Sequence, residues 1–258
     1  MTEQVTPIEI SHPDAEPLTL RIAVGACTVD IDPGGTTWVT GTYRDPSGKI
    51  PISVEVDRGS ARIRQHHDVD SITGLFQGGA PKLELMLGAE RPFALVVEGG
   101  ANEVDLSLGG VPLTRLDIKH GAGQVDLSFD NPNPSEMDRL SLATGAGTLD
   151  ADGLGHANFH ELVAECGAAK YELDFSGMLR RSATVRATAG AASVQLAVPS
   201  TTPARIQAKS VLGTTDVGDG FTTVGGSFLT RAAVDGSSPT LDIEASVAVG
   251  VLRLKTTD

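Results

Sequence analysis

GANEVDLSLGGVPLTRLDIKHGAGQVDL, residues 100–127, starts on Gly-Ala, runs through an alternating stretch and a turn, and returns through a second alternating stretch to Gly-Ala. Leu116 and Ile118 stand five and three residues before Gly121, and Val125 and Leu127 stand four and six residues after it. A spacing of two on both sides of the glycine describes extended chain with one buried face, not the spacing of a helix. The segment therefore reads as two short half-buried strands joined at a glycine turn.

Moving outward, the same heptapeptide recurs as GACTVDI at Gly25, GAGTLDA at Gly145, GAAKYEL at Gly167, GAASVQL at Gly190 and a degenerate GTTDVGD at Gly213. From Gly100 onward the steps are 21, 24, 22, 23 and 23 residues. Equivalent residues at equivalent positions, including the small turn pair, are what stacking in register demands, because each coil presents the same bend and the same inward layer to the next. A barrel of hairpins needs no such uniform turn. The expected fold is all-β, a single-stranded β-solenoid with about 22–23 residues per coil. Each turn glycine is expected to supply positive φ or room for a neighbouring backbone.

Residues 94–258 carry the regular copies, with a Gly-, Ser- and Thr-rich insertion at 218–239 expected to form a long loop or projecting hairpin. Residues 1–93 hold one clear copy, LRIAVGACTVDI, and two looser strand pairs between turn-rich pieces. This first segment is expected to be an irregular β cap, since a solenoid end must be covered. The C-terminal stretch LDIEASVAV, residues 241–249, reads as the terminal strand and so as the exposed edge.

The VGACTVDI segment and the series from Gly100 to Leu127 resemble the toast-rack β-solenoid domains of LiaF-type bacterial cell-envelope stress-response proteins and related adhesin domains of unknown function. The resemblance implies a non-catalytic domain with a role in interaction or assembly, and it supplies no catalytic residues. Some relatives are tethered behind transmembrane helices, which this sequence does not show.

Charge and composition narrow the function classes. Thirty-three acidic and 20 basic residues give a net charge of −13, with ten aromatic residues (seven Phe, two Tyr, one Trp), so no basic or aromatic track for nucleic acid is expected. No apolar run approaches the roughly 20 residues of a membrane span, and the first residues, MTEQVTPIEISHPDAEP, lack an export signal, so a cytoplasmic location is expected, with membrane association through a partner. Cys27 and Cys166 form no disulfide framework.

Between the buried residues after each turn stand Asp30, Asp105, Asp126, Asp150, Glu172 and Gln195. Stacked coils would make them a column spaced about 4.8 Å apart, either a calcium ladder or a solvated polar face. The polar face is the expected reading. His120 and Cys166 share an inward column with Thr144 between them, two coils or about 9.6 Å apart, too far for one zinc ion. His156 with His160, and the run His66-His67-Asp68-Val69-Asp70, lack a third spaced ligand and read as surface histidines. No cofactor is expected. A Gly-x-Ser-x-Gly elbow, a phosphate loop and a His-Glu-x-x-His helix are all missing from the sequence. The first functional reading is therefore a scaffold or protein-interaction module associating through an end or edge, with a homodimer as one arrangement. The alternative is a carbohydrate-active lyase or hydrolase on the same solenoid.

Overall fold

A computed structural model describes residues 4–66 and 79–257. The repeats are long strands, each bent once: β8 (Phe93–Ser107), β9 (Leu113–Ser128), β10 (Met137–Asp152), β11 (Phe159–Asp174) and β12 (Ala183–Pro199). They stack in parallel, β8 to β12 in order, with repeat positions aligned residue for residue. Leu95, Leu116, Leu140, Leu162 and Val185 form one inward column, and every member is buried. Val104, Val125, Leu149, Tyr171 and Val194 form its counterpart beyond the bend, equally buried. The two halves of each coil thus close on one core that runs the length of the stack. The sheet stays open and does not close into a barrel, and the fold is an all-β solenoid.

The bend is built by glycine in two ways. A Cβ on Gly145 would lie 2.5 Å from the Gly121 carbonyl oxygen one coil away, so the first glycine column exists for close backbone approach. Gly147, two residues on, has φ of 121° and its added Cβ would meet the Gly123 carbonyl oxygen. Gly213 belongs to this second column, aligned with Gly250 and through it with Ala192, rather than with Gly190. Its expected place at the head of a repeat is thereby corrected by two residues, the head position in that coil being Val211.

Toward the N-terminus, β2 (Leu18–Val24) and β3 (Thr28–Pro33) stack on the two halves of β8. Beyond them the halves separate. One continues through β6 (Ser60–Gln65) to β5 (Ile52–Asp57), the other through β7 (Lys82–Leu87) and β4 (Val39–Asp45) to β1 (Gln4–Ile10), each ending in antiparallel pairing. Gln65 ties the halves together: its side-chain oxygen accepts from the Gly25 N–H at 2.9 Å and its amide donates to the Tyr43 hydroxyl at 3.0 Å.

At the far end the strand order departs from chain order. β16 (Leu241–Thr257) inserts between β12 and β13 (Ala204–Val217), so the expected exposed edge at 241–249 is in fact an interior strand. Side-chain chemistry accounts for the exchange: β16 turns Leu241, Ile243, Ala245, Val247, Leu252 and Leu254 inward, all buried, whereas β13 offers Ser210 and Thr215 at matching positions. The more apolar strand takes the place with two neighbours. The 218–239 segment forms a hairpin, β14 (Thr222–Val224) and β15 (Ser227–Leu229), then a single helical turn, α1 (Arg231–Val234). β15 pairs with β13 only at Arg205 and Ile206, while Phe221 and Phe228 pack against the end of the core.

Loops opposite the bend are held by a residue the repeat does not announce. Asn133, fully buried, donates from Nδ2 to the carbonyls of Leu113 (2.9 Å) and Ala157 (3.1 Å), and its Oδ1 accepts from the N–H groups of Leu113 (3.2 Å) and Ser135 (3.0 Å). One side chain thereby joins the loops of three successive coils.

Candidate functional site

The acidic column runs along the outward face of the half-coils after the bend. Strand register aligns Asp30, Asp105, Asp126, Asp150, Glu172 and Gln195, and the line then changes sign at Arg253 of β16. Local groups pair with several members, by charge or by hydrogen bond. Lys82 reaches Asp30 at 2.8 Å and Glu84 at 2.9 Å, Lys170 reaches Glu172 at 2.6 Å, and Gln124 donates to Asp126 at 2.8 Å. Asp105 and Asp150 titrate above the ordinary carboxylate value, first because partial burial disfavours the charge and then because neighbouring carboxylates repel it; Asp152, on the same face, does likewise. Among the described residues no three His, Cys, Asp or Glu side chains are placed to hold one metal ion. We expect a melting temperature indifferent to millimolar calcium. Asp126→Asn with Asp150→Asn should raise stability by a few tenths to about 1 kcal/mol at low salt, since repulsion is relieved. A calcium-dependent rise abolished by the double variant would restore the ladder reading.

The inner side of the bend carries a second polar line. His120 and Thr144 are buried and adjacent in register, followed by Cys166. His120 donates from Nε2 to the Asn102 carbonyl oxygen at 3.0 Å, leaving Nδ1 without a partner. The Asn102 side-chain amide and the Thr144 hydroxyl are likewise buried and unpaired. Burial pushes the Cys166 thiol up to about 11 and the Cys27 thiol up to about 12, so neither is a thiolate at neutral pH. A groove follows the same bend along the stack, bordered by Glu98, Lys119 and Glu165, with His120, Thr144 and Cys166 among the residues that line it.

His120 also sets a pH dependence. Burial holds its folded pKa below the ordinary 6.5, against a smaller opposite effect of the Asn102 carbonyl. The unfolded ring therefore gains its proton first, and the stability present above about pH 6.5 declines as pH falls toward the folded value. The raised carboxyls work in the other direction: their contribution is complete below the unfolded value of 3.8 and lost as pH rises through the folded values. The difference in melting temperature between the wild type and His120→Gln separates the two. We expect the wild type to lose ground to the variant between about pH 7 and pH 5, and a loss of the same size at both pH values would refute the assignment.

The remaining histidines are dispersed. His156 lies in a short 3-10 helix, Leu154–Ala157, where Nδ1 donates to the Phe129 carbonyl at 3.0 Å, a tie between loops rather than a free surface group. His160 is exposed on β11. His66 is exposed and 2.7 Å from the Ser53 hydroxyl, while His67, Asp68, Val69 and Asp70 lie outside the described residues. No helix among the described residues is long and apolar enough to cross a membrane. Asn102 and Asn133 are among the buried polar groups that the repeat reading passed over. Asn102 stands where other coils carry Gly123 and Gly147, and that substitution within an otherwise regular column was the available signal.

One solved structure agrees with this architecture. A "putative cell adhesion protein" from Clostridium sporogenes ATCC 15579 aligns over 99% of both chains at 17% identity, with a TM-score of 0.51, a likeness of fold. A "putative adhesin" from Bacteroides fragilis NCTC 9343 aligns over 98% of this chain and 97% of its own at 9% identity and a TM-score of 0.40. No curated protein matches the chain. The model of the family described as the N-terminal domain of toast_rack, DUF2154, matches residues 2–139, from the first strands through β9 and into β10. That segment is more than half of the sequence, and the chain belongs to the toast-rack family.

Proposed function

We propose that the protein is a non-catalytic structural module that presents rigid sheet faces to protein partners at the bacterial cell envelope. The observation that carries this reading is the unbroken stack itself: seven bent strands in register hold two extended outward faces in fixed relation, one of them strongly acidic. The polar groups His120 and Thr144 that line the groove at the bend are buried. Residues 1–93 act as the cap of the regular 94–258 stack in this reading. Membership of the toast-rack family supports a module of this kind. The chain works from the cytoplasmic side and reaches the membrane through a partner, within a response to envelope stress.

Two measurements test the reading. Incubation with acidic and neutral polysaccharides should release no reducing ends and no unsaturated products; release of either would favour the lyase or hydrolase alternative. Cell fractionation before and after an envelope-damaging antibiotic should move the protein from the soluble to the membrane fraction. A distribution that the antibiotic leaves unchanged would separate the module from envelope stress.

A further inference from the structure

β13 ends the stack with an open edge. Along one side it pairs with β16 from Ala204 to Val217, and along the other β15 covers only Arg205 and Ile206. Among the described residues no strand pairs with the outer side from Gln207 onward. The residue pattern changes at the same place. The Gly-Ala of the earlier bends gives way to Ala248-Val249 in β16 and Val211-Leu212 in β13, with Val249 48%, Val211 64% and Leu212 69% exposed. Ser210 and Thr215 continue inward columns that are buried in the preceding coils. The Ser210 hydroxyl has no hydrogen-bond partner, and Thr215 is exposed where Leu252, Val194 and Tyr171 are buried.

We propose that this edge is completed by the same edge of a second copy, antiparallel, about a two-fold axis through the bend between Leu212 and Gly213. That register sets Ala208 opposite Val217, Lys209 opposite Asp216, Ser210 opposite Thr215, Val211 opposite Thr214 and Leu212 opposite Gly213, with the two Leu212 side chains diagonal neighbours at the axis. Three observations select it. The bend interrupts the alternation, so the inward residues are Ile206, Ala208 and Ser210 before it and Thr215 and Val217 after it. Reversing the strand about a point between two residues, and not about Leu212 or Gly213 itself, lays inward side chains on inward ones and outward on outward, and the opposition of Lys209 to Asp216 then selects this point from its neighbours. Charge also matches, twice by symmetry. Lys209 forms no ion pair among the described residues, and Asp216 reaches only Arg253, at 4.0 Å with both side chains at least half exposed. Elsewhere a protein of net charge −13 offers its copy mostly repulsion. Finally, the unpaired length begins where β15 stops, so the hairpin bounds the register at one end and the close of β13 bounds it at the other. The joined sheet runs β16, β13, β13, β16, pairs the edge backbone groups, gives the Ser210 hydroxyl a partner and closes without leaving the edge open to further copies.

Sedimentation velocity across the micromolar range tests the arrangement. The 26.7 kDa chain should sediment as a dimer. Leu212→Glu and Lys209→Glu should each weaken it by about tenfold or more in Kd with unchanged circular dichroism, since both side chains are exposed in the single chain. Lys209→Glu combined with Asp216→Lys should recover the dimer, a result that only direct opposition of these residues gives. A wild type that stays at single-chain mass throughout overturns the proposal, as does a dimer that none of the variants weakens, or a charge exchange that fails to recover it.

Discussion

Gly147→Val is expected to abolish folding of the stack or to cost more than about 4 kcal/mol, the range reserved for broken backbone geometry. Two effects coincide at this position. Its φ of 121° lies where a β-branched residue is strained, and an added Cβ would enter the space of the Gly123 carbonyl oxygen in the coil below. Neither can relax alone, because the Gly123 backbone is itself held in register with β8. Gly145→Val is the informative companion: it lacks the positive φ, yet its Cβ would lie 2.5 Å from the Gly121 carbonyl oxygen. Its cost should be smaller than that of Gly147→Val but well above the roughly ±0.5 kcal/mol of an ordinary surface change. Chemical denaturation measures both. Equal and small effects would show that the bends stack more loosely than the register states.

Asn133→Ala should destabilise by about 3 kcal/mol, although the residue sits in a loop. The mechanism is desolvation rather than lost packing. Removing the side chain leaves the Ala157 carbonyl without its donor and strips the Leu113 backbone of two contacts, in a place fully closed to water. Asn133→Asp isolates the donor role, since it keeps the acceptor for Leu113 and Ser135 while losing both Nδ2 donations. It should be as damaging as alanine, with a carboxylate now facing two carbonyl oxygens. A melting temperature near that of the wild type in both variants would mean that the three loops are held by their backbones alone.

These two positions mark the limits of the sequence reading. Gly145 was legible because it heads a repeat, whereas Gly147, which carries the positive φ, stands in the same heptapeptide and was not read as part of the bend. Asn133 was not legible, because the segment Asn131-Pro132-Asn133-Pro134 carries only a turn signal, and its three-coil contacts exist only once the loops are stacked. Asn102 and His120 illustrate the same limit at the bend. Each has a place in the repeat, but their proximity across coils comes from register. The acidic column was visible as a spacing, whereas the lysines and the glutamine that reach into it from the same strands required side-chain positions.

The sequence by itself determined the strand character, the period, the inward residues and the position of the bends, because all four are written in local alternation and in the recurrence of a residue without a Cβ. Only the tertiary structure decided the order of the last strands. A parallel stack accepts any strand of matching length and pattern, so chain order does not force spatial order. The exchange of β13 and β16 follows from which of the two has the more apolar inner face, a comparison that matters only when both compete for one place against β12. With β16 enclosed, the open edge carries Lys209, Ser210, Leu212 and Asp216 instead of the residues of the C-terminal strand.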